Sequence, residues 1–499
     1  MQYHPLFLAI FSPVLVAAAG CGRLGDDVVA MVDPDLGASD GAPSTPDVID
    51  VGAPSFDGAD EKGGPADATD SGSPGPDVSV DAPVIPPGDS GPPTSCEGTS
   101  PLITIRRING DTRDNCTGQL AAHTFTHALC TCEDMTISGL LVTESFDSTA
   151  DAGARGGGAA VGIGGTCPRG LYANIGGSLT IAGDRSFVAA GFVVAGDFKI
   201  AGAATLLTQL MVHRDAWLGG RVTTFALAAR VERNVYAAPG AGFTGSVTVA
   251  GTTTTTPVVV EEPCGCGPEE LLDIGGMVSV GAMRHENAKI EGGVDPTRLN
   301  DVAPPGITVR LPCGRFFFGR IGGAGAITLR VTGRTAVFVE GNVQATDTFQ
   351  LQLDPGAELD LFIRGNLVLT GAAQLGDNER PGALRVYVGG TADIALPSGR
   401  GISMNLYAPN ANVTISAGEL FGSVLAKNLT GLTAVRARYD RSVLTPSGQC
   451  AATAPEVCDK CQTCNDGLAC IDGGCGKCLT DADCCAPFVC DQGTCQQLR

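Results

Sequence analysis

Apolar and polar residues alternate in short runs through the middle of the chain, and these runs recur at a regular spacing. Four segments share one pattern: IGGSLTIAG at 175–183, VAGDFKIAG at 194–202, VHRDAWLGG at 212–220 and VERNVYAAPG at 231–240. Their equivalent positions Gly177, Gly196, Arg214 and Arg233 are 19, 18 and 19 residues apart. One strand and one turn per fixed period is typical of a β-solenoid, because a single copy cannot bury its own apolar side.

The alternation also predicts which side chains face the interior. Leu179, Phe198 and Val235 occupy one offset in three copies, and we expect them to point inward. The pattern returns as VFVEGNVQA at 337–345, LFIRGNLVLTG at 361–371, VYVGGTADI at 386–394, LYAPNANVTI at 406–415 and VLAKNLTGL at 424–432. We therefore predict a mostly β protein in which residues 96–450 form a parallel β-helix, interrupted near 252–310. An antiparallel sandwich with regular turns is the alternative.

The residues before this region have a different composition. Residues 22–95 hold fifteen acidic and two basic residues, so much of the net charge of -21 lies there. The segment is rich in Asp, Pro, Gly, Ala and Ser and holds too few apolar residues to offset the entropy of ordering. We expect residues 21–95 to be a disordered acidic linker. The chain has no basic patch with interleaved aromatic residues, which argues against nucleic acid as a partner.

The first residues predict export. Residues 5–20, PLFLAIFSPVLVAAAG, are apolar, end in small residues, and are shorter than the roughly 20 residues of a transmembrane helix. Residues 1–20 are therefore interpreted as a signal peptide. The run Ala18-Ala19-Gly20-Cys21 resembles a bacterial lipobox, which implies a lipidated Cys21 and attachment to a membrane. An ordinary secretory peptide and a buried apolar helix are the alternatives.

The last 49 residues, 451–499, predict a small disulfide-rich domain. Few large apolar residues are present, so covalent bridges would have to replace a core. The cysteines expected in these bridges are Cys458, Cys461, Cys464, Cys470, Cys475, Cys478, Cys484, Cys485, Cys490 and Cys495. The stretch CLTDADCCAPFVCDQGTC at 478–495 resembles small cystine-rich modules of the Dickkopf, colipase and knottin kinds.

The remaining cysteines are also expected to form disulfides, as is usual for exported proteins. Cys130 and Cys132 can pair with a neighbour such as Cys96 or Cys116. A second expected bridge joins Cys264 or Cys266 to Cys313 and closes the interruption. With Cys21 set aside, nineteen cysteines remain, so one is left free or pairs between chains.

Metal, cofactor and catalytic motifs are weak. His123 and His127 beside Cys130 and Cys132 are the best metal candidate, but two thiols on a strand favour disulfides. The tail lacks the spacing of a ferredoxin cluster motif. Asp197 and Asp215 recur one period apart as turn residues, which explains them without acid–base chemistry. We expect no catalytic, cofactor or metal site.

Two segments resemble a known family. They are ALCTCEDMTISGLLVTESFDS at 128–148 and NLYAPNANVTISAGELFGSVLAKNLTGLTAVRARYDRSV at 405–443. They are similar to the DUF7305-type domain and to the collagen-binding-like and bactofilin-like β-helical modules of bacterial surface proteins. The resemblance implies a β-helix and no established chemistry.

These features favour a non-enzymatic cell-surface lipoprotein of the outer membrane, acting as a structural or adhesive scaffold. Lys199, Trp217 and Tyr236 share one offset and form a candidate strip for a surface glycan or protein. One alternative is a β-helical polysaccharide lyase or hydrolase. Another is a protein that self-associates into polymers, because exposed solenoid ends can stack.

Overall fold

The computed structural model describes residues 101–150, 158–165, 171–225, 228–396, 402–416 and 418–445, together with four short strands between 469 and 497. Cys21, the predicted signal peptide and the acidic linker lie outside the described residues. So do the side chains of the tail cysteines, which are Cys458, Cys461, Cys464, Cys470, Cys475, Cys478, Cys484, Cys485, Cys490 and Cys495.

Short strands make up most of the described chain. Those before residue 260 are β1 Leu102–Arg106, β2 Thr112–Cys116, β3 Leu129–Thr131, β4 Met135–Ile137, β5 Leu140–Phe146, β6 Val161–Ile163, β7 Tyr172–Ile175, β8 Leu179–Ile181, β9 Phe187–Ala189, β10 Gly191–Val194, β11 Phe198–Ile200, β12 Ala204–Leu206, β13 Leu210–Val212, β14 Ala216–Leu218, β15 Arg221–Thr224, β16 Ala229–Val231, β17 Val235–Ala237, β18 Gly242–Thr244, β19 Val247–Val249 and β20 Thr253–Thr255. Those that follow are β21 Gly306–Leu311, β22 Gly314–Phe318, β23 Ile321–Gly323, β24 Ala326–Val331, β25 Arg334–Val339, β26 Val343–Ala345, β27 Phe349–Leu353, β28 Glu358–Ile363, β29 Leu367–Leu369, β30 Ala373–Leu375, β31 Leu384–Val388, β32 Ile394–Leu396, β33 Ser403–Ile415, β34 Gly418–Gly431 and β35 Val435–Asp440.

Helices are few and short. The α-helices are α1 Thr117–Thr124 and α2 Ile274–Met283, and the 3-10 helices are Asn287–Lys289, Glu291–Gly293, Pro296–Leu299, Pro381–Ala383 and Arg441–Leu444. None of the described helices has the length and apolar character needed to cross a membrane. In the tail, the backbone forms two antiparallel pairs: β36 Ala469–Ile471 with β37 Gly474–Gly476, and β38 Phe488–Asp491 with β39 Thr494–Gln497.

The predicted solenoid is confirmed as a column of parallel coils. Between residues 171 and 255, each coil adds one strand to each of three sides. One side holds β8, β11, β14, β17 and β20, the second holds β7, β10, β13, β16 and β19, and the third holds β9, β12, β15 and β18. The sandwich alternative is therefore wrong.

The coils do not stack in sequence order. Cys130 in β3 lies opposite Gly162 in β6 on one edge and opposite Leu425 in β34 on the other. Strand β5 likewise lies between β7 and β35. The first coil of the chain therefore occupies the middle of the column. Residues 129–255, the N-terminal stack, build away from it, and residues 306–440, the C-terminal stack, finish against its other edge.

One side of the column runs unbroken through both stacks, and we call it the long side. It contains thirteen strands in the order β22, β25, β28, β31, β33, β34, β3, β6, β8, β11, β14, β17 and β20. Leu179, Phe198 and Val235 lie on it and are at most 1% exposed, as predicted. Burying side chains of this size contributes about 1.5–3 kcal/mol each, and repetition along the column makes the apolar interior continuous.

A second layer covers the outward surface of the C-terminal stack on the long side. Phe338, Phe362 and Tyr387 stack there, with ring centroids 5.2 and 4.6 Å apart. Helix α2 packs on this stack. Gly281 of α2 faces the Phe338 ring so closely that an added Cβ would collide with it, which is why the helix has no side chain at that point. Aromatic residues on an outward position thus belong to the core.

The segment between β20 and β21 returns to the first coil along the outside of the column. Disulfides join Cys130 to Cys264 and Cys132 to Cys266, with Cα atoms 5.6 and 5.5 Å apart. Gly162 lies under this crossing, where an added Cβ would be 2.6 Å from the Cys130 sulfur and 2.9 Å from Pro263. The two bridges therefore fasten the return segment directly over the coil that joins the two stacks.

These pairings correct the expected ones. The predicted bridge from Cys264 or Cys266 to Cys313 is wrong, because the return segment brings both residues to the first coil, six strands away from the coil of Cys313 on the long side. Pairing of Cys130 and Cys132 with Cys96 or Cys116 is wrong for the same reason. Cys116 and Cys313 are themselves disulfide-bonded.

Candidate functional site

The candidate strip continues the outward aromatic positions of the long side beyond the covering layer. Outward residues at the centre of successive strands are Phe317, Phe338, Phe362, Tyr387, Tyr407, Leu425, Cys130, Gly162, Thr180, Lys199, Trp217, Tyr236 and Thr254. From Phe338 to Cys130 these side chains are at most 5% exposed. From Thr180 to Tyr236 they are half-buried, and Thr254 is exposed. The strip is therefore the solvent-accessible part of a longer ladder.

Lys199, Trp217 and Tyr236 are brought together as the sequence predicted. The Lys199 ammonium lies 5.0 Å from the centroid of the Trp217 ring, within cation–π distance. The Trp217 and Tyr236 rings stack at 5.3 Å between centroids with an interplanar angle of 20°. The three side chains follow one another in register on adjacent strands, so the backbone hydrogen bonds of the solenoid fix their spacing.

This arrangement determines which parts of the rings can meet a ligand. One face of Trp217 lies against Tyr236 and the cation of Lys199 also lies over the ring. A sugar ring stacking flat on Trp217 would have to displace a neighbour. The indole N–H, the phenol O–H and the ammonium are all hydrogen-bond donors at the outer end of these side chains. The strip therefore suits a ligand rich in acceptor oxygens.

The turns beside the strip add positive charge. Arg214 and Arg233 precede Trp217 and Tyr236 by three residues and are exposed. Neither arginine forms an ion pair with another described residue, although ion pairs occur elsewhere in that part of the chain. With Lys199 on the strand, the strip therefore has three cations that are not in ion pairs with described residues, in a region whose net charge is balanced by Asp197, Asp215 and Glu232.

Asp197 and Asp215 have the turn role that the sequence indicated. The carboxylate of Asp197 accepts a hydrogen bond from the Asp215 backbone N–H at 3.3 Å. That of Asp215 accepts one from the Asn234 backbone N–H at 2.8 Å and one from its side-chain amide at 3.2 Å. Each carboxylate thus links its own turn to the next. This use fits a structural ladder, and the two groups do not form a paired acid and base facing a substrate.

The return segment borders the strip. Thr255 and the strand of Cys130 are six strands apart on the long side, about 29 Å at ~4.8 Å per strand. The nine steps from Thr255 to Cys264 span at most about 31 Å when extended. Residues 256–263 must therefore run almost straight along the column beside the strip. A ligand therefore cannot reach the strip from the side that this segment occupies.

The histidine and cysteine cluster does not form a metal site. His123 lies in α1, which ends at Thr124, so His127 is not on the same helical face. Cys130 and Cys132 form disulfides, so neither has a free thiolate to bind a metal. Burial lowers the pKa of His127 to about 4. Among the described residues, no group of three or more His, Cys, Asp or Glu side chains is placed to hold a metal.

A buried ionic cluster was missed by the sequence analysis. Arg385 donates to both carboxylate oxygens of Asp360 at 2.7 Å and to Glu358 at 2.8 Å. Burial alone would lower the pKa of Arg385, but the carboxylates of Asp360 and Glu358 outweigh it and raise that pKa. Asp360, Arg385, Asn405 and Ser423 lie in register on four adjacent strands. Asp360 and Arg385 are at most 4% exposed, so the cluster mainly supports the second layer, and Glu358 and Arg385 also line a small surface cavity.

Comparisons with known proteins give a family match and a structural match. Residues 275–445 match the model of a domain of unknown function, DUF7305. No curated protein sequence matches the chain. A crystal structure of an ice binding protein from an Antarctic bacterium, Flavobacteriaceae, aligns over 64% of this chain and 98% of that chain, with 11% identity and a TM-score of 0.19. An identity and a score this low carry no functional information.

Proposed function

We propose that this protein is a non-enzymatic lipoprotein of the bacterial cell surface, and that its solenoid displays an adhesive strip made of Lys199, Trp217 and Tyr236. The observation that carries the proposal is the half-buried but solvent-accessible stack of these three side chains, whose spacing is set by the backbone pairing of adjacent strands. Trp and Tyr side chains lose little conformational entropy on binding, which is one reason why they are enriched at binding hot spots.

The chemistry of the strip favours an anionic, acceptor-rich glycan over a neutral one. The ring faces are partly occupied by their neighbours, so binding would rely on N–H and O–H donors and on the charges of Lys199, Arg214 and Arg233. Carboxylate or sulfate groups of a polysaccharide match these donors, and hydrogen bonds between charged partners are the strong ones. A linear polysaccharide can lie along the column, because the strip and the return segment beside it both run lengthwise.

Binding of full-length protein to polyuronate and to an uncharged polysaccharide of similar length tests this proposal. We expect polyuronate to bind, and we expect W217A and K199A each to weaken it roughly tenfold. Met211→Ala is the matched control, because Met211 is half-buried and outward on the neighbouring side of the column. Unchanged affinity in W217A and K199A would contradict the proposal. A loss of thermal stability with normal binding would instead assign the stack to supporting the return segment.

The surface location and the anchor are part of the proposal and need their own experiment. The signal-like residues 5–20, the Cys21 motif and the cysteine content support export. Intact mass of the protein from native membranes should show a chain that starts at a diacylated or triacylated Cys21. A chain that retains residues 1–20 in the soluble cell interior would contradict it.

Incubation of the same preparation with polysaccharides, with and without Ca²⁺, should release no shorter products, whereas turnover would favour the lyase or hydrolase alternative.

A further inference from the structure

The coil that ends the N-terminal stack lacks the cover found elsewhere on the column. Val247 and Val249 of β19 lie directly over the buried Ala229 and Val231, so they occupy inward positions. Val247 is nevertheless 38% exposed, and Val249 is only half-buried. On the long side Thr253 lies over the buried Val235 and is exposed. The interior of the column is therefore open to solvent at this end, formed by β18, β19 and β20.

The outer backbone edge of these three strands is also open. Within the described part of the chain, no strand pairs with the edge of β18, β19 or β20 that faces away from the column. Natural edge strands are usually protected by charged side chains. Residues 234–260 contain no Asp, Glu, Lys or Arg, although the whole chain has 85 such residues in its 499. An edge without protecting charges is suited to strand pairing with another chain.

The opposite end of the column is closed by its own chain. Asn287 donates to the Phe317 carbonyl at 2.7 Å and accepts from the Phe317 backbone N–H at 2.9 Å. Val302 forms a parallel bridge with Gly323, and its N–H donates to the Gly322 carbonyl at 2.8 Å. The segment around these residues thus satisfies edge groups of the last coil of the C-terminal stack. A second copy cannot pair with that end without displacing it.

We infer that the open end docks on the same end of a second copy, which gives a dimer related by a two-fold axis perpendicular to the column. Because one end is closed, head-to-tail stacking is blocked and the contact cannot propagate into a filament. The two-fold rotation reverses the direction in which the chain circles the column, so facing strands run antiparallel. Antiparallel edges pair with regular hydrogen bonds. An end without charged residues also places no like charges against one another in the contact.

The size of the end predicts a weak contact. A single coil offers a patch well below the roughly 800 Å² per partner of a standard interface. We therefore expect a dissociation constant on the order of 10 μM. This range is relevant for a protein held at a membrane, where two copies share a surface. The inference does not depend on the proposed adhesive strip, which lies on the long side of the same stack.

Sedimentation velocity of full-length protein carrying Cys21→Ser, so that acylation cannot cause association, tests the inference between about 1 and 100 μM. We expect the weight-average mass to rise from near the monomer value at about 1 μM to about 1.8 times that value at about 100 μM. V247K should stay monomeric, because dimerisation would bury the unpaired charge of the lysine between the two open ends. V188K should dimerise normally, since Val188 is 50% exposed at the centre of strand β9, away from the open end. Circular dichroism of both variants verifies that they are folded.

Hydrogen exchange of the unsubstituted end gives a second measurement that does not depend on a variant. Amides in residues 247–255 should exchange more slowly at about 100 μM than at about 1 μM. A monomer at all concentrations overturns the inference. Equal exchange rates of these amides at both concentrations also overturn the inference, whether the end stays exposed or another part of the same chain covers it. Species that grow beyond the dimer would show that the closed end can open, which contradicts the two-fold arrangement.

Discussion

The losses of stability from removing the two disulfides over the first coil should not be additive. The bridge Cys130–Cys264 closes a loop with a sequence separation of 134 residues, and Cys132–Cys266 has the same separation. The chain-entropy relation gives about 5 kcal/mol for a loop of this length at 25 °C. When one bridge is present, the other closes only the few residues between the two pairs, for which the same relation gives about 2 kcal/mol.

Removing either bridge with paired Cys→Ala substitutions should therefore cost about 2 kcal/mol of unfolding free energy, whereas removing both should cost about 7 kcal/mol. The resulting coupling energy of about 3 kcal/mol is independent of small packing losses at each alanine, because a double-mutant cycle cancels local terms. The structural basis is that both bridges fasten the same return segment to the same coil.

Urea unfolding followed by the fluorescence of Trp217, which is the single tryptophan of the chain, provides the assay. Circular dichroism should show the same transition if the column unfolds in one step. If the loss of unfolding free energy on removing both bridges equals the sum of the two single losses to within about 0.5 kcal/mol, the reasoning is refuted. Each bridge would then constrain a separate part of the unfolded chain. The wild-type protein under reducing conditions should be at least as destabilised as the variant without both bridges, because reduction also opens the bonds of Cys116 and Cys313.

Three further experiments test the core and its charged groups. F198A should lower the unfolding free energy by about 3–5 kcal/mol, whereas V188A on the surface should change it by less than about 0.5 kcal/mol, both measured by urea denaturation. R385M should cost about 3–5 kcal/mol because it leaves buried carboxylates unpaired, and adding D360L should recover much of this loss. The folded-state pKa of His127 is about 4, below its usual 6.5, so the unfolded chain binds the proton first. Stability should fall as pH decreases from about 6.5 towards 4, and H127Q should reduce that slope in denaturation curves recorded across this range.

Local alternation explains why the coils were predictable. The offset shared by Leu179, Phe198 and Val235 marks inward positions because a strand places every second side chain on one face. The same argument placed Lys199, Trp217 and Tyr236 in one ladder, and the register confirms that placement. The repeated outward aromatic positions at Phe338, Phe362 and Tyr387 follow the same rule. Their burial was not predictable, because alternation does not reveal that a helix covers them.

The order of the coils could not be read from the sequence. Strand pairing in a parallel sheet depends on which edges meet, and every coil has a similar edge. Nothing local in the segment around Leu129 specifies that Val424 lies beside it. The return path of residues 256–263 depends on this order, and so do both disulfide pairings. The buried cluster had a visible signal, since Asp360 and Arg385 interrupt apolar runs 25 residues apart at matching offsets.

Placing the first coil at the centre of the column has a consequence for how the chain is made. Synthesis delivers β3 and β5 early, yet their second neighbours, β34 and β35, are almost 300 residues further along. One edge of the first coil therefore remains unpaired until nearly all of the solenoid has been synthesised. Long separations of this kind slow folding. A chain truncated before residue 418 would keep a gap in the middle of the column that no later step could close.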